Sequence, residues 1–237
     1  MTTSMTAPAL VIAVPSKGRL KEQAAELFER AGTPLRVKGH ERGYRGQLEG
    51  LGDVEVEYTS AAEIVHQLKA GRVHLGITGE DLVRETLTDV DGTVEFLKPL
   101  GFGQADVIVA VPECWLDVSR MADLEDVAEQ FARSHGRRLR VATKYMNLTR
   151  RFFARKGVTG YRIVESVGAT EATPTTGTSE LIVDITTTGT TLKANHLKVL
   201  EDGLILKSQA HLLAAKSAAW DPRALELRET ILSALST

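Results

Sequence analysis

Short apolar runs alternate with amphipathic stretches along most of the chain, and the period of each stretch predicts its element. Leu10–Val14 reads as a buried strand, and Leu20–Ala31 as a helix stopped by Gly32. Val54–Tyr58 is the next strand, followed by a helix that Ser60-Ala-Ala-Glu63 opens as a capping box. The alternation continues with strand Val73–Ile77, a helix after Gly79-Glu80-Asp81, and strands Val94–Leu97 and Val107–Val111. A helix over Leu124–Ser134, strand Leu139–Ala142, a helix over Thr149–Lys156 and strand Tyr161–Val164 come next. Strands Leu181–Ile185 and Leu204–Leu213 and a closing helix within Asp221–Ser236 complete the pattern, which is the grammar of an α/β fold.

The alternation breaks at Gly101-Phe-Gly-Gln104, where two strands follow one another with no helix between them. Such a break predicts a crossing between two lobes, with the long strand Leu204–Leu213 as the return. The expected division is 1–102 plus 214–237 for the first lobe and 103–213 for the second, with a ligand cleft between two α/β lobes.

Charge and composition narrow the chemistry. The 237 residues carry a formal charge of −2, which argues against a general nucleic-acid or membrane-surface binder, so an anionic ligand must be met by local clusters. The single Cys114 excludes an internal disulfide and fits a reducing compartment. Six histidines form no close ligand-spaced pair, which speaks against a structural zinc. The apolar run Ala9–Val14 is too short for a secretory signal, and no stretch of ~18 apolar residues occurs. A cytoplasmic location is the expectation.

The most informative segment is Asp184-Ile-Thr-Thr-Thr-Gly-Thr-Thr-Leu192, which sets a carboxylate and a glycine-centred hydroxyl cluster at the end of an apolar strand. Gly189 lets the backbone approach an anion, Thr187, Thr188, Thr190 and Thr191 add donors, and the sequence from Leu192 onward looks helical. No Gly-x-x-x-x-Gly-Lys is present, so this is not a Walker-type triphosphate loop. A carboxylate shortly before the glycine suits a sugar phosphate, accepting from ribose hydroxyls while the loop holds the 5′-phosphate. A Thr/Gly-rich turn of purely structural meaning is the plain alternative. Further clusters follow other strands. Lys17, Gly18 and Arg19 lie after the first strand; Arg42 and Arg45 lie in a glycine-rich stretch; Gly76-Ile-Thr-Gly79-Glu-Asp81 is either a helix cap or a ligand contact. Lys144 and Tyr145 follow another strand end, and Glu165-Ser-Val-Gly168 leads to Glu171. Each has a bland reading as a solvated turn; a polyanionic substrate explains them jointly.

Val14-Pro-Ser-Lys-Gly-Arg-Leu20, Gly76-Ile-Thr-Gly-Glu-Asp-Leu82, Ala142-Thr-Lys-Tyr145 and the block Gly168 through Leu192 resemble the motifs of the ATP phosphoribosyltransferase family in its short form. The resemblance covers nearly the whole chain. It implies a two-lobed fold like that of periplasmic binding proteins, magnesium dependence, and transfer of the phosphoribosyl group of phosphoribosyl pyrophosphate to N1 of the adenine of ATP, the first step of histidine biosynthesis. Because the chain stops just after the Asp221–Ser236 helix, it implies a separate regulatory subunit resembling histidyl-tRNA synthetase, with a homodimer inside a hetero-oligomer. Many relatives have an acidic residue where this chain has Thr187, so ribose recognition is expected to rest on Asp184 and Glu171. Position and resemblance assign Arg19 and Arg42 to the pyrophosphate with Lys17 nearby, and give Gly79, Lys144 and Gly168 substrate contacts.

Displacing pyrophosphate from an anomeric carbon demands electrostatic stabilisation more than proton transfer, and no Ser/His/Asp or Cys/His arrangement is evident. A magnesium ion held mainly by substrate phosphates, near Asp184, meets that demand. The alternative class is a bilobed binding or sensor domain without catalysis, which would share the cleft and phosphate loop and need no arginines at a leaving group.

Overall fold

The protein is described from a computed structural model, over residues 8–37 and 44–236. The chain forms two compact units, Met1–Gly103 with Gln209–Thr237, and Gln104–Ser208. In the first unit β1 (Leu10–Pro15) is followed by α1 (Gly18–Arg30), the short strands β2 (Leu35–Val37) and β3 (Arg45–Leu48), β4 (Leu51–Thr59) and α2 (Ala61–Lys69). Then come β5 (Leu75–Gly79), α3 (Glu80–Thr86), the single turn α4 (Val90–Thr93) and β6 (Val94–Pro99). The second unit holds β7 (Ala105–Pro112), α5 (Met121–His135), β8 (Leu139–Thr143), α6 (Met146–Arg155) and β9 (Tyr161–Glu165). After a 3-10 turn at Thr170–Ala172, it continues with β10 (Leu181–Thr186), α7 (Thr190–Ala194) and β11 (Leu197–Ser208). The chain then returns to the first unit as β12 (Ala210–Ala215) and α8 (Pro222–Ala234).

Among the described residues the first sheet has seven strands in the order β2-β3-β4-β1-β5-β12-β6, and the second has five in the order β11-β7-β10-β8-β9. Both are sandwiched by apolar layers, as the alternation of Cβ directions along each strand requires. Leu10, Ile12 and Val14 of β1 join the core under α1 and α8, while Ala13 faces the layer under α2 and α3. On β7, Val107, Val109 and Val111 pack with α5 and α6, and Ile108 and Ala110 pack on the opposite face with Leu192 and Leu197.

Three sequence expectations change. The run Leu204–Leu213 is not one strand: Ser208 pairs with Ala105 on β7, whereas Ala210 pairs with Gly79 on β5. Gln209 is the switch between sheets, its carbonyl accepting from Glu80 N at 3.0 Å. The second unit boundary therefore falls at 208/209 and not at 213/214, because all of β12 belongs to the first sheet. The helix expected from Leu192 onward begins earlier and ends at once. It is only Thr190–Ala194, entered from Gly189 at φ +73° and followed by His196 at φ +54°. Arg45 sits on β3 and is ion-paired to Glu55 at 3.3 Å. Arg42 itself lies outside the described residues.

At the amino end of β8 and β10, Glu180 gathers the start of the sheet. It accepts from Arg137 at 2.9 and 3.1 Å, from the Arg140 backbone N–H at 2.7 Å and from its guanidinium at 2.7 Å, while Arg140 also donates to the Gly177 carbonyl at 2.7 Å. Partial burial works against the charged carboxylate, yet the bonds from Arg140 and Arg137 outweigh it and lower the Glu180 pKa to about 2. A folded-state pKa below the unfolded one stabilises above the unfolded value and is lost as pH falls through the folded value. Glu180→Gln should therefore cost about 2 kcal/mol at pH 7, a fall in Tm on the order of 4–8 °C. The difference from wild type should shrink between pH 4.5 and about 2 in calorimetric scans.

Candidate functional site

β10 runs antiparallel to β7 from Ile182↔Ala110 to Thr186↔Asp106, but parallel to β8 only at Leu181↔Val141 and Ile182↔Ala142. Beyond Ile182 the two parallel strands part, β8 into α6 and β10 into α7. The space outside the carboxyl ends of such strands is the usual place for a ligand in an open α/β sheet. Asp184 stands at this parting point. By alternation it shares the face of Ile182, which packs with Ala142, Ile108 and the Leu192 side chain of α7.

Burial raises the pKa of the Asp184 carboxyl above its usual range; the Ile185 N–H, which donates to it at 2.8 Å, and the charge of Lys144 oppose this, and Glu171 adds to it. The three groups are thus close enough to share one field. Lys144 is exposed just past β8, its Nζ 4.9 Å from the Tyr145 ring centroid, and Tyr145 is buried as the N-cap of α6. Glu171 is half-buried in the 3-10 turn, whose residues pack against β10. Gly168 is exposed with open space where a Cβ would stand, so its value here is not a close backbone approach within the fold.

The turn after β10 is organised by hydroxyls. Gly189 N–H donates to Thr186 Oγ1 at 3.0 Å, the Thr188 and Thr190 hydroxyls lie 2.8 Å apart, and Thr190 N–H donates to Thr188 Oγ1 at 3.4 Å. Thr187 Oγ1 donates to the Gln104 carbonyl at 3.3 Å, and Thr191 is exposed on α7. At φ +73° position 189 is in the left-handed region that glycine adopts without strain. Thr186 escaped the sequence reading; the available signal was a hydroxyl three residues before a turn glycine, the spacing of a side-chain-to-backbone turn.

Asp184, Glu171, Lys144 and the Gly189 turn are therefore brought together in the second unit. Lys17, Arg19 and Gly79 belong to the first. Lys17 caps α1 through extended backbone without a side-chain bond, and Gly18 has φ +71°. Lys17 and Arg19, both exposed, line a cavity of about 310 Å³ with Pro15, Leu20, Thr59 and Ser60, at the carboxyl ends of β1 and β4. Gly79 is buried at the start of α3, where Gln209 takes up the Glu80 N–H, so helix entry and sheet switch are joined there. Among the described residues no group of three or more His, Cys, Asp or Glu is arranged to hold a metal ion, and no helix is long and apolar enough to cross a membrane.

The family model described as HisG, ATP phosphoribosyltransferase, matches residues 60–236. An ATP phosphoribosyltransferase of Afipia carboxidovorans is 58% identical over 98% of this chain and 71% of its own length. One from a Bradyrhizobium species is 59% identical over 94% of this chain and 69% of its own. Among solved structures, the ATP phosphoribosyl transferase (HisG:HisZ) complex from Thermotoga maritima contains a chain similar at a TM-score of 0.72 and 24% identity, covering 96% of this chain and 98% of that one. The substrate-binding protein of an amino acid ABC transporter is similar at a TM-score of 0.52 and 12% identity, a likeness of fold alone that places the two-unit architecture with the periplasmic-binding-protein-like folds. Near-complete coverage by relatives of this identity, and a family match over most of the sequence, lead to one conclusion: the chain belongs to the ATP phosphoribosyltransferase family.

Proposed function

We propose that this chain transfers the 5-phosphoribosyl group of phosphoribosyl pyrophosphate to N1 of the adenine of ATP, releasing pyrophosphate, the first step of histidine biosynthesis. The observation that carries the reading is the 58% identity to an ATP phosphoribosyltransferase over nearly the full chain, joined to a glycine-centred turn beside a carboxylate pair. The bond from ribose C1 to the pyrophosphate oxygen breaks and a bond from C1 to adenine N1 forms. Positive charge develops on the sugar and negative charge on the leaving group. Adenine N1 carries a free lone pair at neutral pH, so the site needs fixed charges and not a general base.

In this reading the Gly189 turn takes the 5′-phosphate through the first-turn N–H groups of α7 and the Thr188, Thr190 and Thr191 hydroxyls. Asp184 and Glu171 accept from the ribose hydroxyls, and Lys144 balances their charge. Thr187, its hydroxyl directed to the Gln104 carbonyl, supports the turn and leaves the ribose to the two carboxylates. Gly168 keeps the approach to Glu171 clear. Family resemblance assigns Lys17, Arg19 and Arg42 to the pyrophosphate, and Gly79 holds the α3 entry as a backbone contact. Asp184 and Glu171 would lie near a magnesium ion carried chiefly by substrate phosphates, which would neutralise charge on the leaving group.

We assign the partner from the family resemblance and the likeness to the Thermotoga chain found in a HisG:HisZ complex. A separate regulatory subunit resembling histidyl-tRNA synthetase supplies the histidine site, since allosteric inhibition needs a second site whose occupancy shifts the equilibrium. Cytoplasmic assembly as a homodimer within that hetero-oligomer belongs to the same reading.

Incubation with ATP, phosphoribosyl pyrophosphate and magnesium should produce the ultraviolet signature of N1-substituted adenine, and its absence would refute the reaction. Histidine should leave turnover of the isolated chain unchanged at concentrations that inhibit it with the subunit present; strong inhibition of the isolated chain would remove the partner from the account. Gly189→Val meets no neighbour within 4 Å, but it forces a β-branched residue into the left-handed region. Strain of about 2–3 kcal/mol should move the turn and weaken phosphoribosyl pyrophosphate binding by roughly 30–150-fold in calorimetric titration. Near-normal affinity in the folded variant would take this turn out of the site.

A further inference from the structure

The phosphoribosyl contacts are all polar, yet the segment that leads to Glu171 presents a bare apolar side chain. Val167 is 87% exposed, the most exposed large apolar residue among those described. A lone surface valine ordinarily calls for no explanation; the way this one is held does. Ser166 N–H donates to the Thr143 carbonyl at 3.1 Å, which extends the β8–β9 register by one residue to the end of the sheet that carries Lys144. Ser166 Oγ accepts from Thr170 Oγ1 at 3.0 Å, and both residues are buried. Between these anchors Ala169 takes left-handed backbone, φ +50°, a conformation that persists in a non-glycine residue only when its surroundings enforce it. The segment 166–170 is therefore clamped at both ends, and its geometry directs Val167 outward, four residues before Glu171.

Valine has a single stiff χ1, so ordering it against a ligand costs little entropy. Of the two substrates, phosphoribosyl pyrophosphate offers charge and hydroxyls on every side; the purine ring is the one extended apolar surface in the reaction. Adenine N1 must also come within about 3–3.5 Å of ribose C1 for the bond to form, and the ribose lies against Asp184 and Glu171 in the proposed reaction. We infer that Val167 is a substrate-contact residue that packs on the face of the adenine ring of ATP and sets its approach to the sugar. The inference rests on the phosphoribosyl-transfer reading and adds a residue for adenine to a site otherwise defined by phosphate and ribose.

Steady-state kinetics of the full chain test it, with each substrate varied at saturation of the other. Val167→Ser should raise KM for ATP by about 5–10-fold, the scale of a lost, partly buried apolar contact, with KM for phosphoribosyl pyrophosphate within about twofold of wild type. Val167→Asp should raise KM for ATP further, and Val167→Ile should keep it at the wild-type value. Because the side chain is exposed, all three should unfold at the wild-type midpoint. An unchanged KM for ATP in Val167→Ser and Val167→Asp would overturn the inference, as would a rise confined to KM for phosphoribosyl pyrophosphate, which would make the valine a prop of the phosphoribosyl contacts. A wild-type chain with no N1-substituted product would instead sink the reaction itself, so the two failures are distinct.

Discussion

The position of β10 between an antiparallel and a parallel neighbour is the constraint on which the functional part of the second unit depends. Leu181, Ile182 and Val183 are fully buried, which fixes the register on both sides. Because side chains alternate, that register leaves no freedom in where Asp184 points: a shift of one residue would exchange Asp184 with Ile185 and bury a carboxylate among Val107, Val141 and Phe153. The same register makes β8 part from β10 one residue before Asp184. The carboxylate therefore emerges where the sheet opens, desolvated enough to have a raised pKa but still close to Lys144.

The helix after β10 is short, and its brevity bears on the chemistry. α7 is a single turn and contributes little stability as a helix. It is held by Leu192 in the core and by the left-handed residues at either end, Gly189 and His196. A turn fixed from outside keeps its backbone in place while the Thr188 and Thr190 hydroxyls exchange their mutual contact for a ligand, so little reorganisation is needed. Glu180, at the other end of the same strand, does for the base of the sheet what the leucines and valines do for its middle.

The elements legible in the sequence are those with continuous apolar runs: Leu10–Val14, Val107–Val111, Leu139–Ala142 and Leu181–Ile185 all lie inside observed strands whose faces are covered. The outer strands were not legible. Leu35-Arg-Val37 and Arg45-Gly-Gln-Leu48 carry polar residues because they sit at or next to a sheet edge, and the first half of β11, also an edge, mixes exposed and buried positions. The sheet switch at Gln209 is invisible for a different reason: both flanking runs are apolar, and only long-range pairing decides which sheet each joins. Of the candidate residues, Asp184, Gly189, Lys144 and Glu171 stand out in the sequence by their place after strands. Thr186 and the Ser166–Thr170 pair do not, since their importance lies in single hydroxyl contacts that no periodicity announces.

The central claim is that the turn after β10 holds the sugar phosphate, and amide chemical shifts test it most directly. Titration of the isotopically labelled chain with phosphoribosyl pyrophosphate and magnesium, followed by ¹⁵N–¹H correlation spectra, should move the Gly189, Thr190 and Thr191 resonances first, and ribose 5-phosphate alone should move the same three. Unmoved turn resonances, with the response confined to Gly18–Leu20 and Ser60–Ala61, would place the phosphoribosyl group in the first unit and contradict the account.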